Sequence, residues 1–376
     1  MVERALLNHV IEARRIINLN EITINELLNM DDAFLVDVRS PGEFEESSIP
    51  GAINIPIFTN EERKEVGTLY KQKGAPIAKW RAMEIVSPKL PQILGSIKKI
   101  VDEHKQPVLY CARGGMRSGS IATFVDFSGL KSLRLSGGYR AYRQYILEMI
   151  PKLIPEQAIV LHGMTGSGKT EILLALQSKG YPVIDLEGLA AHRGSLFGSV
   201  GYQHDGHNQK LFDSLLYESL EKIKGSPYYL VEAESKRIGK ASQLDELYES
   251  KLNGLNIYLK ASVETRVARI FKEYVELNVE KEEFHNDILN KILIMEKRFK
   301  NKEIYQVLLE NAMNRSYQEV IRLLLLYYYD PRYGFKMNEY KNGFITIGAD
   351  HVETAVQEIQ QYIETLPFCH QALKTN

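Results

Sequence analysis

Only two of the 376 residues are cysteines, Cys111 and Cys369, so a disulfide framework is excluded and a reducing compartment is expected. The chain has no apolar run of the about 18 residues that a membrane helix needs. Its first residues, MVERALLNHV, lack the basic-then-apolar order of a secretory signal. A cytoplasmic protein without membrane contact is therefore expected. Charge of one sign is missing too: 47 Lys/Arg face 48 Asp/Glu, a net charge of −1. That balance excludes a generally basic nucleic-acid coat but leaves room for a local basic patch. Internal repeats and low-complexity tracts are absent. The length suits two or three domains, each with its own core.

Charge is uneven along the chain. Residues 1–70 carry 6 Lys/Arg against 13 Asp/Glu, whereas residues 71–150 carry 14 against 5. The basic stretch surrounds Cys111, an arrangement that suits an anionic substrate or simply a solvated face.

Short β-branched runs at 34–38 and 107–110 read as strands, and the second delivers Cys111 to a strand end. A helix follows from Ser118 to Phe127, and a third strand covers Leu133 to Leu135 before Gly137-Gly138. Two prolines in Pro151-Lys-Leu-Ile-Pro-Glu156 mark 151–156 as a linker between a first domain, 1–150, and a second, 157–376. Beyond it, strands at 158–162, 182–184, 228–231 and 255–259 alternate with helical stretches, the pattern of a parallel α/β sheet. Residues 262–329 read as mostly helical, and 343–366 as one strand and one amphipathic helix.

Two loops carry chemistry. The first is Cys111-Ala-Arg-Gly-Gly-Met-Arg-Ser118. Strand, tight loop and helix aim backbone N–H groups at one point, which lowers a thiol's pKa and holds an oxyanion beside it. Cys111 is the candidate nucleophile or chalcogen carrier. Arg113 and Arg117 supply charge, Gly114 and Gly115 permit the tight path, and Ser118 is expected as N-cap. The second loop, Gly163-Met-Thr-Gly-Ser-Gly-Lys-Thr170, matches the complete phosphate-loop pattern. Backbone amides from Gly163, Thr165, Gly166, Ser167 and Gly168 would cradle a diphosphate, Lys169 would bridge a terminal oxygen, and Thr170 would bind magnesium. The motif does not choose between ATP, GTP and a non-nucleotide diphosphate. Asp185, Glu187, Glu232 and Glu234 stand near strand ends, as a metal-site carboxylate must, but solvated loop positions explain them equally well. Arg266 and Arg269 share a helix face and suit either phosphate contact or surface ion pairs.

Asp37-Val-Arg-Ser-Pro-Gly-Glu-Phe44, Ile49-Pro-Gly-Ala-Ile-Asn-Ile-Pro56 and Ser136-Gly-Gly-Tyr139 resemble rhodanese-type sulfurtransferase domains. That resemblance implies structural roles for Asp37 and Arg39. Five residues separate Cys111 from Arg117, one more than in the usual rhodanese loop and equal to the loop of dual-specificity phosphatases. A rhodanese-like domain followed by a phosphate-loop domain resembles tRNA 2-selenouridine synthases. So do Glu65-Val-Gly-Thr-Leu-Tyr-Lys-Gln72, Asp185-Leu-Glu-Gly-Leu-Ala190, His192-Arg-Gly-Ser195, Glu234-Ser-Lys-Arg-Ile-Gly239 and the turn at Tyr329-Asp-Pro331.

The resemblance implies a rhodanese-like α/β domain followed by a phosphate-loop α/β domain with a helical C-terminal part. It implies an enzyme acting on wobble 2-thiouridine of tRNA. The sulfur is first alkylated by geranyl diphosphate, and selenium from selenophosphate then displaces the S-geranyl group. Cys111 would deliver selenium, with selenophosphate held by Arg113, Gly114, Gly115, Arg117 and Ser118. The diphosphate would lie on the phosphate loop, and no tightly bound cofactor beyond magnesium is expected. Ala112 and the stretch 201–208 depart from the family pattern, which bears on substrate fit. The competing reading is a phosphatase–kinase fusion, with Cys111 attacking a phosphoester and ATP on the phosphate loop. A non-catalytic RNA-binding protein retaining both anion sites is a third. Glu65–Gln72 suits an RNA or interdomain surface, or a buried amphipathic helix.

Overall fold

The computed structural model describes residues 21–192, 206–276, 278–299, 301–333 and 339–368. Cys369, Arg193–Ser195 and residues 201–205 lie outside them. The chain divides into two compact units: the first runs to Met149 and takes in Asp213–Leu215, and the second holds the rest of the chain from Ile150 on.

The first unit holds strands β1 (Glu21–Ile22), β2 (Ala33–Asp37), β3 (Ile53–Asn54), β4 (Gln106–Tyr110) and β5 (Leu133–Leu135). They form one parallel sheet in the order β1-β5-β4-β2-β3. Helices α1 (Asn60–Lys73), α2 (Ala75–Val86), α3 (Leu90–Asp102), α4 (Met116–Phe127) and α5 (Gly138–Leu153) accompany it. Val108, Leu109 and Tyr110 of the central β4 are fully buried, which is why its sequence is continuously apolar rather than alternating. Parallel strands end on one edge, and β4 brings Cys111 to that edge.

Two expectations are corrected here. Pro151 lies inside α5, which runs on to Leu153, so helix occupies the first half of the segment read as a linker. A proline this near a helix end forfeits little backbone bonding, and burial of Ile146, Ile150 and Leu153 carries the helix through. Glu65–Gln72 does belong to a helix, α1, but no residue of α1 is buried. Only Val66 packs partly against the core, so the buried-helix reading does not hold.

The second unit is built on β6 (Gln157–His162), β7 (Val183–Ile184), β8 (Tyr228–Glu232), β11 (Leu255–Lys260) and β12 (Phe344–Gly348), again all parallel, in the order β12-β11-β6-β8-β7. A two-stranded antiparallel ribbon, β9 (Arg237–Ile238) and β10 (Ala241–Ser242), stands apart from it. The helices that matter for the site are α6 (Lys169–Ser178), α7 (Leu186–Ala190), α8 (Val263–Ile270), α9 (Glu282–Met295) and α10 (Tyr317–Leu324). Two short π-helical turns interrupt the helical part, at Phe271–Val275 directly after α8 and at Leu325–Tyr329 directly after α10. Among the described residues no helix is long and apolar enough to cross a membrane.

Candidate functional site

In the first unit, Cys111 sits at the end of β4, buried and unpaired with another cysteine. The loop after it is pulled tight. Gly114 adopts φ +60°, and a Cβ there would stand 2.7 Å from the Gly137 nitrogen and 2.8 Å from the Leu135 oxygen. No side chain fits that position. Gly115 has open space around the position of a Cβ, so the tight path depends on Gly114.

Ser118 is corrected from N-cap to third helical residue. Gly115 is the N-cap of α4, and the buried Ser118 hydroxyl donates to the Cys111 sulfur at 3.4 Å. Burial pushes the Cys111 thiol up. Hydrogen bonds from the Ser118 hydroxyl and from the Ser118 and Arg113 amides, with the charge of Arg117, outweigh it and bring the thiol below its ordinary value.

The two arginines of this loop differ. Arg113 is exposed. Arg117 is engaged twice by Glu43, at 2.5 and 3.1 Å. Glu43 also accepts a hydrogen bond at 3.2 Å from the amide of Ser40, the N-cap of the helix at Pro41–Glu46. Burial works against its ionised form, but Arg117, the Ser40 amide and Arg63 hold its carboxyl down at about 2. Glu43 therefore fixes the guanidinium beside the thiol, a role not assigned from sequence, although the Ser40-x-x-Glu43 capping pattern was there to find it. Asp37 and Arg39 form a buried pair at 2.6 Å, and Arg39 also donates to the Ser47 carbonyl and lies over the Tyr139 ring. Both are structural ties between β2 and its loops.

In the second unit β6 runs into the phosphate loop, and α6 begins at Lys169. Gly168 takes φ +88°, a left-handed turn that lets the loop close into the helix. The Lys169 ammonium donates to the Gly163 carbonyl at 2.9 Å, spanning the loop. Ser167 Oγ is buried without a hydrogen-bond partner.

Behind the loop stands an acidic relay. The Thr170 hydroxyl donates to Glu187 at 3.0 Å, and the Glu187 amide donates to Glu232 at 2.7 Å. Glu232 is fully buried, and its second oxygen has no partner. Burial, with the charges of Asp185 and Glu187, raises the Glu232 carboxyl well above the usual range. Burial and the charge of Glu234 raise Glu187 to about 7, against the pull of Lys169 and Thr170. Sequence named these carboxylates without joining them. Among the described residues no group of His, Cys, Asp or Glu could hold a metal on its own. Magnesium bound by one carboxylate, a threonine and substrate phosphates needs no such group, and the orphaned oxygen of Glu232 fits a site awaiting positive charge.

Of the two arginines read as a helix-face pair, Arg266 is not a surface residue, whereas Arg269 is partly buried and also pairs with the exposed Glu171 at 3.8 Å. Arg266 is buried, pairs with Asp330 at 2.6 and 3.0 Å, and donates to the Thr165 carbonyl at 2.8 Å. Arg269 donates to the Ser167 carbonyl at 3.0 Å. Both grip the backbone of the phosphate loop from α8.

An apolar cavity adjoins that loop. Thr165 forms part of its wall, together with Ile270, Tyr274, Phe284, Ile321, Leu325 and Tyr329. Both π-helical turns contribute to it, Tyr274 from one and Leu325 and Tyr329 from the other. π-Helical turns displace side chains from the α-helical register and recur at functional sites. Nothing in the sequence pattern marked this cavity, because its residues other than Thr165 are scattered from Ile270 to Tyr329 and read as ordinary helix core.

Residues 23–145 match the family described as Rhodanese-like domain, and residues 156–365 match the tRNA 2-selenouridine synthase AAA domain. The tRNA 2-selenouridine synthase of Bdellovibrio bacteriovorus is 38% identical over 247 residues, a region spanning 64% of each chain. That of Shewanella halifaxensis is 32% identical over 363 residues, 89% of this chain and 97% of the relative. Among solved structures, a shikimate kinase from Bacteroides thetaiotaomicron aligns with 55% of this chain at 17% identity and a TM-score of 0.27.

Proposed function

Since the chain belongs to the tRNA 2-selenouridine synthase family, we propose that it converts wobble 2-thiouridine of tRNA to 2-selenouridine in two steps, using geranyl diphosphate and then selenophosphate. The observation that carries the first step is the apolar cavity beside Thr165. A phosphate loop serving a nucleotide needs polar partners for base and ribose next to the phosphates. Here the neighbouring space is walled by isoleucine, leucine, phenylalanine and tyrosine, the environment of a hydrocarbon tail.

In the first step the uridine sulfur attacks carbon 1 of the geranyl group. A carbon–sulfur bond forms, the carbon–oxygen bond breaks, and pyrophosphate leaves. Negative charge builds on the leaving group, where the loop amides and Lys169 meet it. Magnesium, held by Thr170 and Glu187 with the diphosphate oxygens, would add to that stabilisation. In the second step the selenium of selenophosphate attacks carbon 2 of the S-geranyl uridine. A carbon–selenium bond forms, the carbon–sulfur bond breaks and geranylthiol leaves. Water then cleaves the selenium–phosphorus bond to release phosphate. Cys111 takes part in delivery as its thiolate, while Arg113 and the loop amides hold the selenophosphate anion and Arg117, fixed by Glu43, lowers the cost of charge beside it.

Calorimetric titration of the purified protein tests the reading. Geranyl diphosphate should bind more tightly than ATP or pyrophosphate. Dimethylallyl diphosphate, five carbons shorter, should bind up to about a thousand-fold more weakly than geranyl diphosphate, at about 0.8 kcal/mol per buried carbon. ATP binding far tighter than geranyl diphosphate, with turnover to ADP, would replace this reading with the phosphatase–kinase fusion.

A further inference from the structure

The hairpin of α1 and α2 carries a face that the fold leaves bare. Ala78 and Val86 of α2 are buried, and Val66, Ala82 and Ile85 pack on the core. At about 100° per residue, Trp80 lies on the side of α2 opposite Ala78. It is the chain's single tryptophan, and it is 72% exposed. Ile77 and Met83 flank it on the same side and Tyr70 stands near the end of α1, each about half exposed. Four large apolar side chains on one small hairpin are not a folding requirement.

The charge around this face is selective. Arg81 is neutralised by Glu65 at 2.6 Å and by Glu84 at 3.0 Å, and Lys89 by Glu62. Lys71, Lys73 and Lys79 are exposed and make no ion pair or hydrogen bond with any of the described residues. Aromatic faces interleaved with unneutralised lysines match a nucleic acid, whose bases stack and whose phosphates pair. A second apolar protein surface would leave those lysines without partners.

The hairpin also starts at the thiol site. Asn60, the first residue of α1, accepts a hydrogen bond from the Gly42 amide at 2.8 Å, and Arg63 pairs at 3.5 Å with Glu43, the residue that holds Arg117. Tyr70 lies about 10 Å further along the helix at 1.5 Å per residue. A base presented to Cys111 therefore has the rest of its RNA arm within reach of the hairpin.

We propose that the outer face of this hairpin, centred on Trp80 and rimmed by Lys71, Lys73 and Lys79, is the docking surface for the anticodon arm of the tRNA. Trp80 stacks on a base and the lysines contact phosphates. This rests on tRNA being the substrate, and the test separates the two claims.

The full-length protein is titrated with a synthetic anticodon stem–loop RNA, following both tryptophan emission and an independent signal from a fluorophore on the RNA. Binding should quench Trp80. Trp80→Ala should weaken RNA binding about 5- to 150-fold, the range of one base–aromatic stack, and leave pyrophosphate binding unchanged. Lys71→Gln, Lys73→Gln and Lys79→Gln together should flatten the slope of log affinity against log salt by about two to three. If the wild type binds the RNA with no change in tryptophan emission and the variants bind as well as it does, the docking surface lies elsewhere and the substrate assignment survives. If the wild type binds no RNA, the substrate assignment itself fails. Loss of a dimer in Trp80→Ala, with RNA binding intact, would make the face a contact between two copies and overturn the proposal.

Discussion

Replacing Glu187 by glutamine should change how stability responds to pH. A carboxyl whose folded pKa lies above its unfolded value holds its proton more tightly when folded. Its stabilising contribution is complete below about 4.5 and is lost as pH rises through about 7. That rise corresponds to about 3 kcal/mol at 1.36 kcal/mol per unit, which solvent screening of a half-buried group trims to about 2–3 kcal/mol. Glutamine stays neutral throughout, and it also relieves Glu232 of a neighbouring charge. Thermal unfolding of both proteins between pH 4.5 and 8, without divalent cations, reads the effect. Between those limits the wild type should lose about 2–3 kcal/mol relative to the variant, which for a domain of this size is about 4–12 °C in Tm. Glu43 and Asp350, held low at about 2 in both proteins, gain their share below this window and cancel in the difference. Parallel curves would refute the reasoning, since Glu187 would then titrate alike in the folded and unfolded chains.

Three further outcomes are expected. Lys169→Ala should slow geranyl transfer about ten- to 150-fold, the loss of one charge-assisted hydrogen bond of about 1.5–3 kcal/mol; in steady-state assays of each half-reaction, selenation of tRNA already carrying S-geranyl should fall much less. Cys111→Ser should retain S-geranylation and lose selenation, as followed by mass spectrometry of the nucleosides, because a hydroxyl does not form an anion in this range; loss of both steps in a folded variant would contradict the division of labour. Glu43→Gln should leave Arg117 uncompensated and depress the Cys111 thiol further, so alkylation by iodoacetamide should reach half its limiting rate at a lower pH than in the wild type.

Three strands of the first sheet, all five of the second and both loops were legible because they are short apolar runs, two of which end in the glycine-rich loops, whereas the two-residue β1 and β3 are too short to carry a pattern. The path through Pro151 was misread because burial of Ile146, Ile150 and Leu153 overrides proline's local preference. Ser118 was misplaced by three residues, enough to change it from a cap into the donor that faces the thiol. Arg266 and Arg269 were rightly set on one helix, but a helix face does not reveal what packs on it, and here it is the phosphate loop itself. The relay from Thr170 through Glu187 to Glu232 and the apolar cavity join residues brought together only by the tertiary fold. Spacing along the chain carries no record of either.

Arg266 touches both halves of the proposed diphosphate site. One edge of its guanidinium holds the Thr165 carbonyl, and the other holds Asp330, the residue directly after the π-helical turn that lines the cavity. A ligand's head and tail are then sensed by the same side chain, and their binding energies do not simply add. Supplied as two separate molecules, pyrophosphate and a ten-carbon alcohol should each raise the other's affinity, and by the same factor, since linkage between two sites is reciprocal. Severing the link with Asp330→Asn should leave two sites that fill independently of one another.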